Sequence, residues 1–306
     1  MFIGISGTLS SGKTEVARYL TYCGFKYIDY KRENDESNNL NQLLKKDLIF
    51  DDYNLLIIHV TKNWKENFVI THLDDHEFLS EVSIRPFFLH VTVDAPVARR
   101  YERYILKHEL TKDEFPLVKF IESSDHFLLE LEIIFKNSDF KIINSTIQVE
   151  QFYQKLSELN LLKSTRLRPN WDNYFMSLAD LASRRSNCMK RRVGCVIVKD
   201  NRVIATGYNG TPRNLKNCNE GGCERCNREL PDSNCLCLHA EENALLYSNK
   251  LNGSTLYCDT CPCLQCTIKI IQCGIREVVY KKEYKFDQQS KSLFDQSNVL
   301  LRRYQD

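Results

Sequence analysis

Two short motifs in the second half of the chain restrict its possible folds most strongly. Residues 238–241 read Leu-His-Ala-Glu, and residues 261–266 read Cys-Pro-Cys-Leu-Gln-Cys. One imidazole and two thiolates are soft ligands that suit tetrahedral Zn²⁺, and three protein ligands leave the fourth position for water. The spacing therefore predicts a catalytic zinc site, with His239, Cys263 and Cys266 as the ligands.

Glu241 lies two positions after the histidine ligand. It is too close along the chain to share the metal easily, but it can reach the water and a substrate ring. Zinc lowers the pKa of its water towards neutrality, and a carboxylate here can move the proton to a pyrimidine nitrogen and help the amine to leave. His-x-Glu with Pro-Cys-x-x-Cys is the pattern of zinc-dependent deaminases. Both motifs in this order favour a deaminase over a structural zinc knuckle.

The composition of the chain argues against several other classes of protein. Its 306 residues carry a formal net charge of only +2, so no global basic signal points to nucleic acid. Apolar runs such as residues 55–58 are of strand length, which predicts no membrane span. Residues 1–5 lack the features of a secretory signal. We therefore expect an intracellular protein, cytoplasmic or nuclear. Twelve of the 13 cysteines lie at or after Cys188, which favours metal binding over disulfides.

From about residue 168 to residue 303, the chain resembles deoxycytidylate (dCMP) deaminases. The segments that carry the likeness are Arg-Pro-Asn-Trp-Asp-Asn-Tyr-Phe-Met at 168–176, Ser-Arg-Arg-Ser-Asn-Cys at 183–188, Val-Gly-Cys-Val-Ile-Val at 193–198, Thr-Gly-Tyr-Asn-Gly-Thr-Pro at 206–212 and His-Ala-Glu-Glu-Asn-Ala at 239–244. The whole chain resembles the two-domain fungal form. The resemblance implies a cytidine-deaminase-like α/β/α sandwich that converts dCMP and water to dUMP and ammonia, and so supplies dUMP for dTMP synthesis.

A monophosphate substrate needs polar contacts beyond the metal. The resemblance places Asn209 against the deoxyribose, and an Arg185–Ser186 pair can hold a phosphate by charge-assisted hydrogen bonds. Tyr247 either packs near the base or fills the core. The resemblance also implies a homo-oligomer that dCTP activates and dTTP inhibits, with residues 207–210 in the regulatory region.

Six further cysteines lie before or within the long loop at 209–237 and point to a second, structural zinc. Cys-Glu-Arg-Cys at 223–226 is a Cys-x-x-Cys pair, which suits a tetrathiolate site. The resemblance to family members that carry a structural zinc adds Cys188 and Cys237. The predicted ligands are Cys188, Cys223, Cys226 and Cys237, with Cys218 and Cys235 as substitutes. The alternative is a cysteine-rich loop without metal.

Alternating apolar and helical patterns predict an α/β protein of two domains, at residues 1–160 and 170–306, joined by a linker at 161–169. In the first domain, the patterns predict strands at 1–6, 53–59, 68–72, 87–93 and 140–143, and helices at 12–22, 98–108, 123–136 and 148–159. In the second, they predict helices at 171–183, 239–248, 263–273 and 288–296, and strands at 193–199, 203–208, 255–258 and 277–280, with a last short strand after the final helix.

Residues 7–14, Gly-Thr-Leu-Ser-Ser-Gly-Lys-Thr, fit the P-loop pattern between a strand and a helix. Between Gly7 and Gly12, backbone N–H groups would cradle phosphates, Lys13 would neutralise them and Thr14 would reach Mg²⁺, which suggests ATP as a ligand.

The first domain resembles small nucleotide and dephospho-coenzyme A kinases at residues 87–100 and 138–144. Its middle departs from their pattern. A second acidic residue after Asp29 is missing, residues 68–71 lack an acidic end, and arginines for a catalytic lid are few. These departures favour nucleotide binding over phosphoryl transfer.

Two other functions stay open at this point. One is a bifunctional nucleotide kinase and deaminase, in which both domains are active. The other is an RNA-directed deaminase, which would need a basic, aromatic-rich face for a flipped base. The near-neutral net charge argues against an RNA substrate. The presence of Arg185 and Asn209, a pattern typical of a site for a free nucleotide, argues against it as well.

Overall fold

The chain divides into two units at the junction of Arg168 and Pro169, inside the predicted linker. This computed structural model describes residues 1–32, 44–71, 73–227, 234–247, 250–283 and 288–305. Two predicted segments, 68–72 and 239–248, therefore end at residues outside the described ranges. No helix among the described residues combines the length and apolar character needed to cross a membrane.

A six-stranded sheet forms the centre of the first unit. Its order is β3-β2-β4-β1-β5-β6, and every neighbouring pair is parallel. This arrangement confirms the predicted parallel α/β sheet. The strands are β1 (Phe2–Gly7), β2 (Lys26–Tyr30), β3 (Leu48–Phe50), β4 (Phe68–Thr71), β5 (Phe88–Asp94) and β6 (Phe140–Ile143).

Helices cover both faces of this sheet. They are α1 (Lys13–Tyr22), α2 (Tyr53–Lys62), α3 (His76–Ser83), α4 (Val97–Lys107), α5 (Leu117–Glu130), α6 (Glu132–Lys136) and α7 (Val149–Leu159). In β1, Phe2 packs into a core with α2 and α3, whereas Ile3 and Ile5 pack into a second core with α1 and α7. Successive strand residues point to opposite faces, so β1, β2, β4 and β5 each contribute to both cores.

The predicted strand at residues 53–59 is wrong, because this segment begins α2. Asp52 caps the helix, since its carboxylate accepts a hydrogen bond from the Leu55 N–H at 2.9 Å. Leu56, Ile57 and Val60 are buried, whereas Leu55 is exposed. Burial therefore follows the helical period, which a short apolar run cannot distinguish from a strand.

The second unit contains a five-stranded mixed sheet in the order β11-β10-β9-β7-β8. The strand β7 is antiparallel to both β8 and β9, while β9, β10 and β11 run parallel. The strands are β7 (Gly194–Lys199), β8 (Arg202–Tyr208), β9 (Thr255–Thr260), β10 (Glu277–Lys282) and β11 (Leu300–Arg303).

Helices also sandwich the second sheet, which confirms the expected α/β/α layers. Phe175 and Met176 of α8 pack on one face. Ala240, Ile270 and Phe294 bring α10, α11 and α12 to the other face. The helices are α8 (Trp171–Ser183), α9 (Glu224–Asn227), α10 (Ala240–Leu245), α11 (Leu264–Gln272) and α12 (Gln288–Gln296). The predicted metal ligands are thus carried at the start of α10 and α11.

Candidate functional site

Two helix N-termini bring the three predicted zinc ligands together. His239 is the N-cap of α10 and Cys263 is the N-cap of α11, and both have extended backbone conformations. Cys266 lies in the first turn of α11. The Sγ atoms of Cys263 and Cys266 each lie 3.4 Å from Nδ1 of His239.

These separations fit a tetrahedral zinc ion. Zinc–sulfur bonds of about 2.3 Å and zinc–nitrogen bonds of about 2.05 Å would place sulfur and nitrogen ligands about 3.6 Å apart. The ligand atoms of His239, Cys263 and Cys266 all lie within 4.8 Å of one another. Hydrogen bonds from Cys266 and His239 lower the pKa of the Cys263 thiol to about 4, so it readily provides a thiolate.

Glu241 lies in the first turn of α10, beside this group. Its side chain is buried, with the residue only 4% exposed, and burial raises its pKa to about 7. A carboxyl group with a pKa near neutrality can both accept and donate a proton under ordinary conditions. Glu241 also lines a cavity together with His239 and Cys263.

An ion pair braces the two helices that carry the ligands. The Glu242 carboxylate accepts a hydrogen bond from the His239 backbone N–H at 2.8 Å, and it also pairs with Lys269 of α11. These contacts hold the start of α10 against α11. They also fix the backbone from which the His239 ring projects.

The cavity above Glu241 has a volume of about 490 Å³, within the range of small-molecule sites. Its described lining includes three basic residues, Lys190, Arg191 and Arg225. None of the three was predicted as a site residue. They lie among cysteines in the sequence, a pattern that predicts metal binding and gives no separate indication of phosphate binding.

Asn209 and Ser186 line or border this cavity, but they bind each other and the backbone. The Asn209 carboxamide oxygen accepts hydrogen bonds from the Ser186 hydroxyl at 2.7 Å and the Val193 N–H at 2.8 Å. Its amide NH₂ donates to the Arg191 carbonyl at 2.9 Å. These bonds hold the Asn209 side chain in the wall of the cavity, and the sugar contact of Asn209 stays a prediction.

Arg185 and Tyr247 are not among the described residues that line this cavity, and the predicted contacts of Arg185 with the phosphate and of Tyr247 with the base stay predictions. The Arg185 guanidinium lies 6.0 Å from the centre of the Tyr208 ring. Tyr247 is 53% exposed and lines a separate cavity of about 510 Å³, where its ring lies 4.7 Å from the Arg213 guanidinium. Tyr247 lies beyond the end of α10, and its exposure rules out the alternative of a core position.

The six remaining loop cysteines form two overlapping groups. In each group the four sulfur atoms lie within 4.8 Å of one another. The first group is Cys188, Cys218, Cys226 and Cys237, and the second is Cys223, Cys226, Cys235 and Cys237. The predicted set does not occur as one group, since Cys188 and Cys223 belong to different ones. Cys218 and Cys235, predicted only as substitutes, each complete a group.

Residues 7–14, which fit the P-loop pattern, contribute to the lining of a second cavity, of about 630 Å³. Gly12 has a φ of 105°, and a Cβ atom there would meet Asn144 Nδ2 at 2.7 Å. At Gly7, a Cβ atom would meet the Val93 carbonyl oxygen at 2.2 Å. Both predicted glycines are therefore needed for the path of the loop.

The predicted phosphate ligands line this cavity. Lys13 and Thr14 begin α1, and the Lys13 ammonium donates to the carbonyls of Gly7 and Thr8 at 2.9 Å each. Burial lowers the pKa of Lys13 to about 8. Ser11 is fully buried, and within the described ranges its hydroxyl has no hydrogen-bond partner.

Asp74 is an acidic residue of this cavity that the sequence analysis missed. It lies three residues beyond β4, so the strand itself shows no acidic end. The Leu73 N–H still donates to the Ile5 carbonyl of β1 at 3.2 Å, which keeps the chain beside β1. Asp74 thereby reaches the cavity, where its attraction partly offsets the effect of burial on the pKa of Lys13.

Known proteins resemble the chain over its full length. The profile of the cytidine and deoxycytidylate deaminase zinc-binding region matches residues 169–282. A deoxycytidylate deaminase of Schizosaccharomyces pombe is 44% identical over 323 residues, covering 99% of this chain and 97% of that relative. One from Saccharomyces cerevisiae is 40% identical and covers 99% of this chain and 96% of its own.

A solved structure also matches part of the chain. It is the dCMP deaminase of the cyanophage S-TIM5 in complex with dCMP and dUMP, at 33% identity and a TM-score of 0.38, covering 45% of this chain and 98% of that one. The full-length relatives decide the assignment, since they span both units at 40% identity or more. The chain belongs to the deoxycytidylate deaminase family.

Proposed function

We propose that this chain catalyses the hydrolytic deamination of dCMP to dUMP and ammonia in the cavity above Glu241. The observation that carries the proposal is the meeting of His239, Cys263 and Cys266 beside a buried carboxyl group. Membership of the family supplies the substrate, because the full-length relatives are named deoxycytidylate deaminases.

The chemistry divides between the metal and one side chain. Zinc, when held by these three ligands, lowers the pKa of a water molecule towards neutrality. Glu241 would take a proton from that water and deliver it to the ring nitrogen next to the reacting carbon. The water oxygen would bond to that carbon, and the Glu241 carboxylate would then take the second proton of the same oxygen and pass it to the amino group. The carbon–nitrogen bond breaks, ammonia leaves and a carbonyl group remains on the ring. The Glu241 pKa of about 7 suits both steps.

The substrate phosphate would be recognised by the basic residues of the cavity. Lys190, Arg191 and Arg225 line it with Glu241, whereas Arg185 lies against Tyr208. Charge-assisted hydrogen bonds to a phosphate are among the stronger polar contacts. They would favour a 5′-monophosphate over a nucleoside.

A substrate panel tests this function. Ammonia release is measured with dCMP, CMP, deoxycytidine and tRNA, using the zinc-loaded full chain. We expect dCMP to give the highest kcat/KM. A preference for tRNA would instead support the RNA-directed alternative, and equal rates with deoxycytidine would remove the role of the phosphate.

The first unit would bind nucleotide phosphates at residues 7–14, with ATP and Mg²⁺ as the first ligands to test. In the described part of the chain, the backbone N–H groups of Gly12, Lys13 and Thr14 donate to no protein acceptor, so they are available to an anion. Asp74 and Thr14 would face the cation. Equilibrium binding of ATP to the full chain, with Lys13→Ala as the control, tests this role.

Regulation by dCTP and dTTP belongs to the same proposal. The cavity of about 510 Å³ beside Tyr208 and Gly210 includes Arg213 and is separate from the cavity above Glu241. Deamination rates with and without each triphosphate, together with the mass of the assembly in solution, test both regulation and a homo-oligomer.

An intracellular, cytoplasmic or nuclear site of action would keep the cysteines reduced.

A further inference from the structure

The two cysteine groups of the second unit share two members. Cys226 and Cys237 belong to both groups, while Cys188 and Cys218 occur only in the first. Cys223 and Cys235 occur only in the second group, and neither belongs to a group that contains Cys188. Two four-sulfur groups that share two cysteines provide two tetrahedral positions for metal, whereas one tetrathiolate site provides one.

The measured sulfur–sulfur distances match the edges of zinc tetrahedra. With zinc–sulfur bonds of about 2.3 Å, two sulfur ligands lie about 3.75 Å apart. In the first group, Cys188 and Cys226 are 4.0 Å apart. In the second, Cys226 lies 3.5 Å from Cys235, and Cys223 lies 3.9 Å from Cys235. The shared pair, Cys226 and Cys237, is separated by 4.0 Å.

We infer that these six cysteines hold a binuclear cluster of two zinc-type divalent cations, in which the thiolates of Cys226 and Cys237 bridge the two metals. One cation would take Cys188 and Cys218 with the bridging pair. The other would take Cys223 and Cys235 with the same pair. Each metal then has four sulfur ligands, as a closed structural site requires.

A single zinc explains this arrangement less well. Whichever group held it, two further sulfur atoms would remain within 4.8 Å of the shared pair with no metal to join them. Four of the six cysteines, Cys218, Cys223, Cys226 and Cys237, are buried in one small cluster. Their side chains form the only apolar core of this polar loop among the described residues, so metal–sulfur bonds would supply the stability that packing cannot.

The surroundings suit thiolates. The Met189 N–H donates to the Cys218 sulfur at 3.5 Å. Backbone N–H groups of Cys226 and Leu236 point at the Cys223 sulfur. Hydrogen-bond donors to the ligand atoms are typical of metal sites.

Nearby positive charge suits the cluster as a whole. Two divalent cations with six thiolates carry a net charge of about −2. Lys190 and Arg191 follow Cys188 in the chain, and Arg225 lies between Cys223 and Cys226. These basic residues would offset the cluster charge while they line the substrate cavity.

This inference extends the second zinc predicted from the sequence, and it does not depend on deamination. Native mass spectrometry of the full chain, purified with zinc under reducing conditions, counts the metals directly. We expect about three zinc ions per chain, one catalytic and two in the cluster. A count of two would leave a single four-cysteine site, and a count of one would leave none; either result overturns the cluster.

Two terminal-ligand variants test which cysteines take part. Cys188→Ser and Cys235→Ser should each lower the zinc count, because each removes a ligand of a different metal. The matched control Cys273→Ala should keep the full count, since Cys273 lies outside both groups. If either serine variant keeps the full count, one metal does not use that cysteine and the six-thiolate cluster is wrong.

The catalytic zinc is distinguished by His239→Ala, which should lower the count by about one and leave the cluster loaded. A chain that holds all its zinc yet fails to deaminate dCMP would contradict the proposed function alone. A chain that deaminates dCMP with only one zinc would contradict the cluster alone.

Discussion

Individual side chains differ in how far the sequence alone could assign them. His239, Glu241, Cys263 and Cys266 were predictable because each motif is local and a helix start brings its members together. The basic lining of the cavity was not, because it depends on how loops fold back over Glu241. Sequence patterns favour Arg185 for the substrate phosphate, whereas the described lining contains Lys190, Arg191 and Arg225.

One of these basic residues gives a direct test at the scale of a side chain. We expect Lys190→Met to raise KM for dCMP about tenfold or more with little change in kcat, because a hydrogen bond to a charged group contributes about 1.5–3 kcal/mol. Steady-state rates with dCMP and deoxycytidine measure this, since the nucleoside should be unaffected. Arg185→Met is the matched control. A larger loss for Arg185→Met than for Lys190→Met would restore the original assignment of the phosphate contact.

Lys13 provides a test of pH dependence. Burial holds its pKa at about 8, below the ordinary value of 10.5, so the free protein loses this charge as the pH rises through 8. Phosphate binding needs the charged form. The affinity for ATP should therefore be greatest below pH 8 and should decline above it, as titration calorimetry at several pH values would show. Lys13→Met should bind weakly at every pH, and an affinity of the native chain that stays constant through pH 8 would contradict this account.

At the scale of helices and strands, periodicity predicted most elements, and long-range contacts decided the rest. The α/β alternation of both units could be read from apolar patterns. The apolar run within residues 53–59 could not be assigned, because a strand and a helix start look alike over so short a stretch. The approach of Asp74 to the P-loop was also hidden, since it depends on pairing with β1 that continues beyond β4.

Contact between β8 and α10 yields a prediction for the catalytic helix. A Cβ atom at Gly207 would lie 2.1 Å from the Ala240 carbonyl oxygen and 2.5 Å from the Ala244 nitrogen. We expect Gly207→Ala to destabilise the fold by about 1–3 kcal/mol and to lower dCMP turnover, because the helix that carries Glu241 must move. Thermal unfolding and rates measure both effects.

A change elsewhere on β8 serves as the control for this prediction. Val203 is 40% exposed, so Val203→Ala should leave turnover unchanged. If Gly207→Ala kept the native unfolding temperature and the native rate of dCMP turnover, the proposed dependence of the Glu241 position on the packing of β8 against α10 would be wrong.

At the scale of the whole molecule, each of the two units contains a cavity of its own. Each unit has its own sheet and its own cores. The full-length relatives also span both units, so the first unit is a shared feature of these family members. Its contribution to deamination could not be derived from the sequence, because a P-loop motif identifies a phosphate cradle without showing whether phosphate is transferred.

Hydrogen exchange of the full chain can separate the two sites. A ligand that binds only the folded state stabilises it by about 2.7 kcal/mol at 100 times its Kd, and the effect begins where it binds. We expect ATP with Mg²⁺ to slow exchange in peptides from residues 1–168, around α1. Zinc chelation should speed exchange in residues 169–306. ATP protection confined to residues 169–306 would contradict the P-loop assignment, and Lys13→Ala, which should abolish the protection, is the control.

The most direct test of the account is the turnover of dCMP by Glu241→Gln, measured together with its zinc content. Glutamine keeps the size of the side chain but cannot shuttle the proton. We expect the variant to hold as much zinc as the native chain and to form dUMP about 10²–10⁴ times more slowly. A fully zinc-loaded Glu241→Gln that converted dCMP at the native rate would contradict the role of Glu241 and, with it, the proposed mechanism.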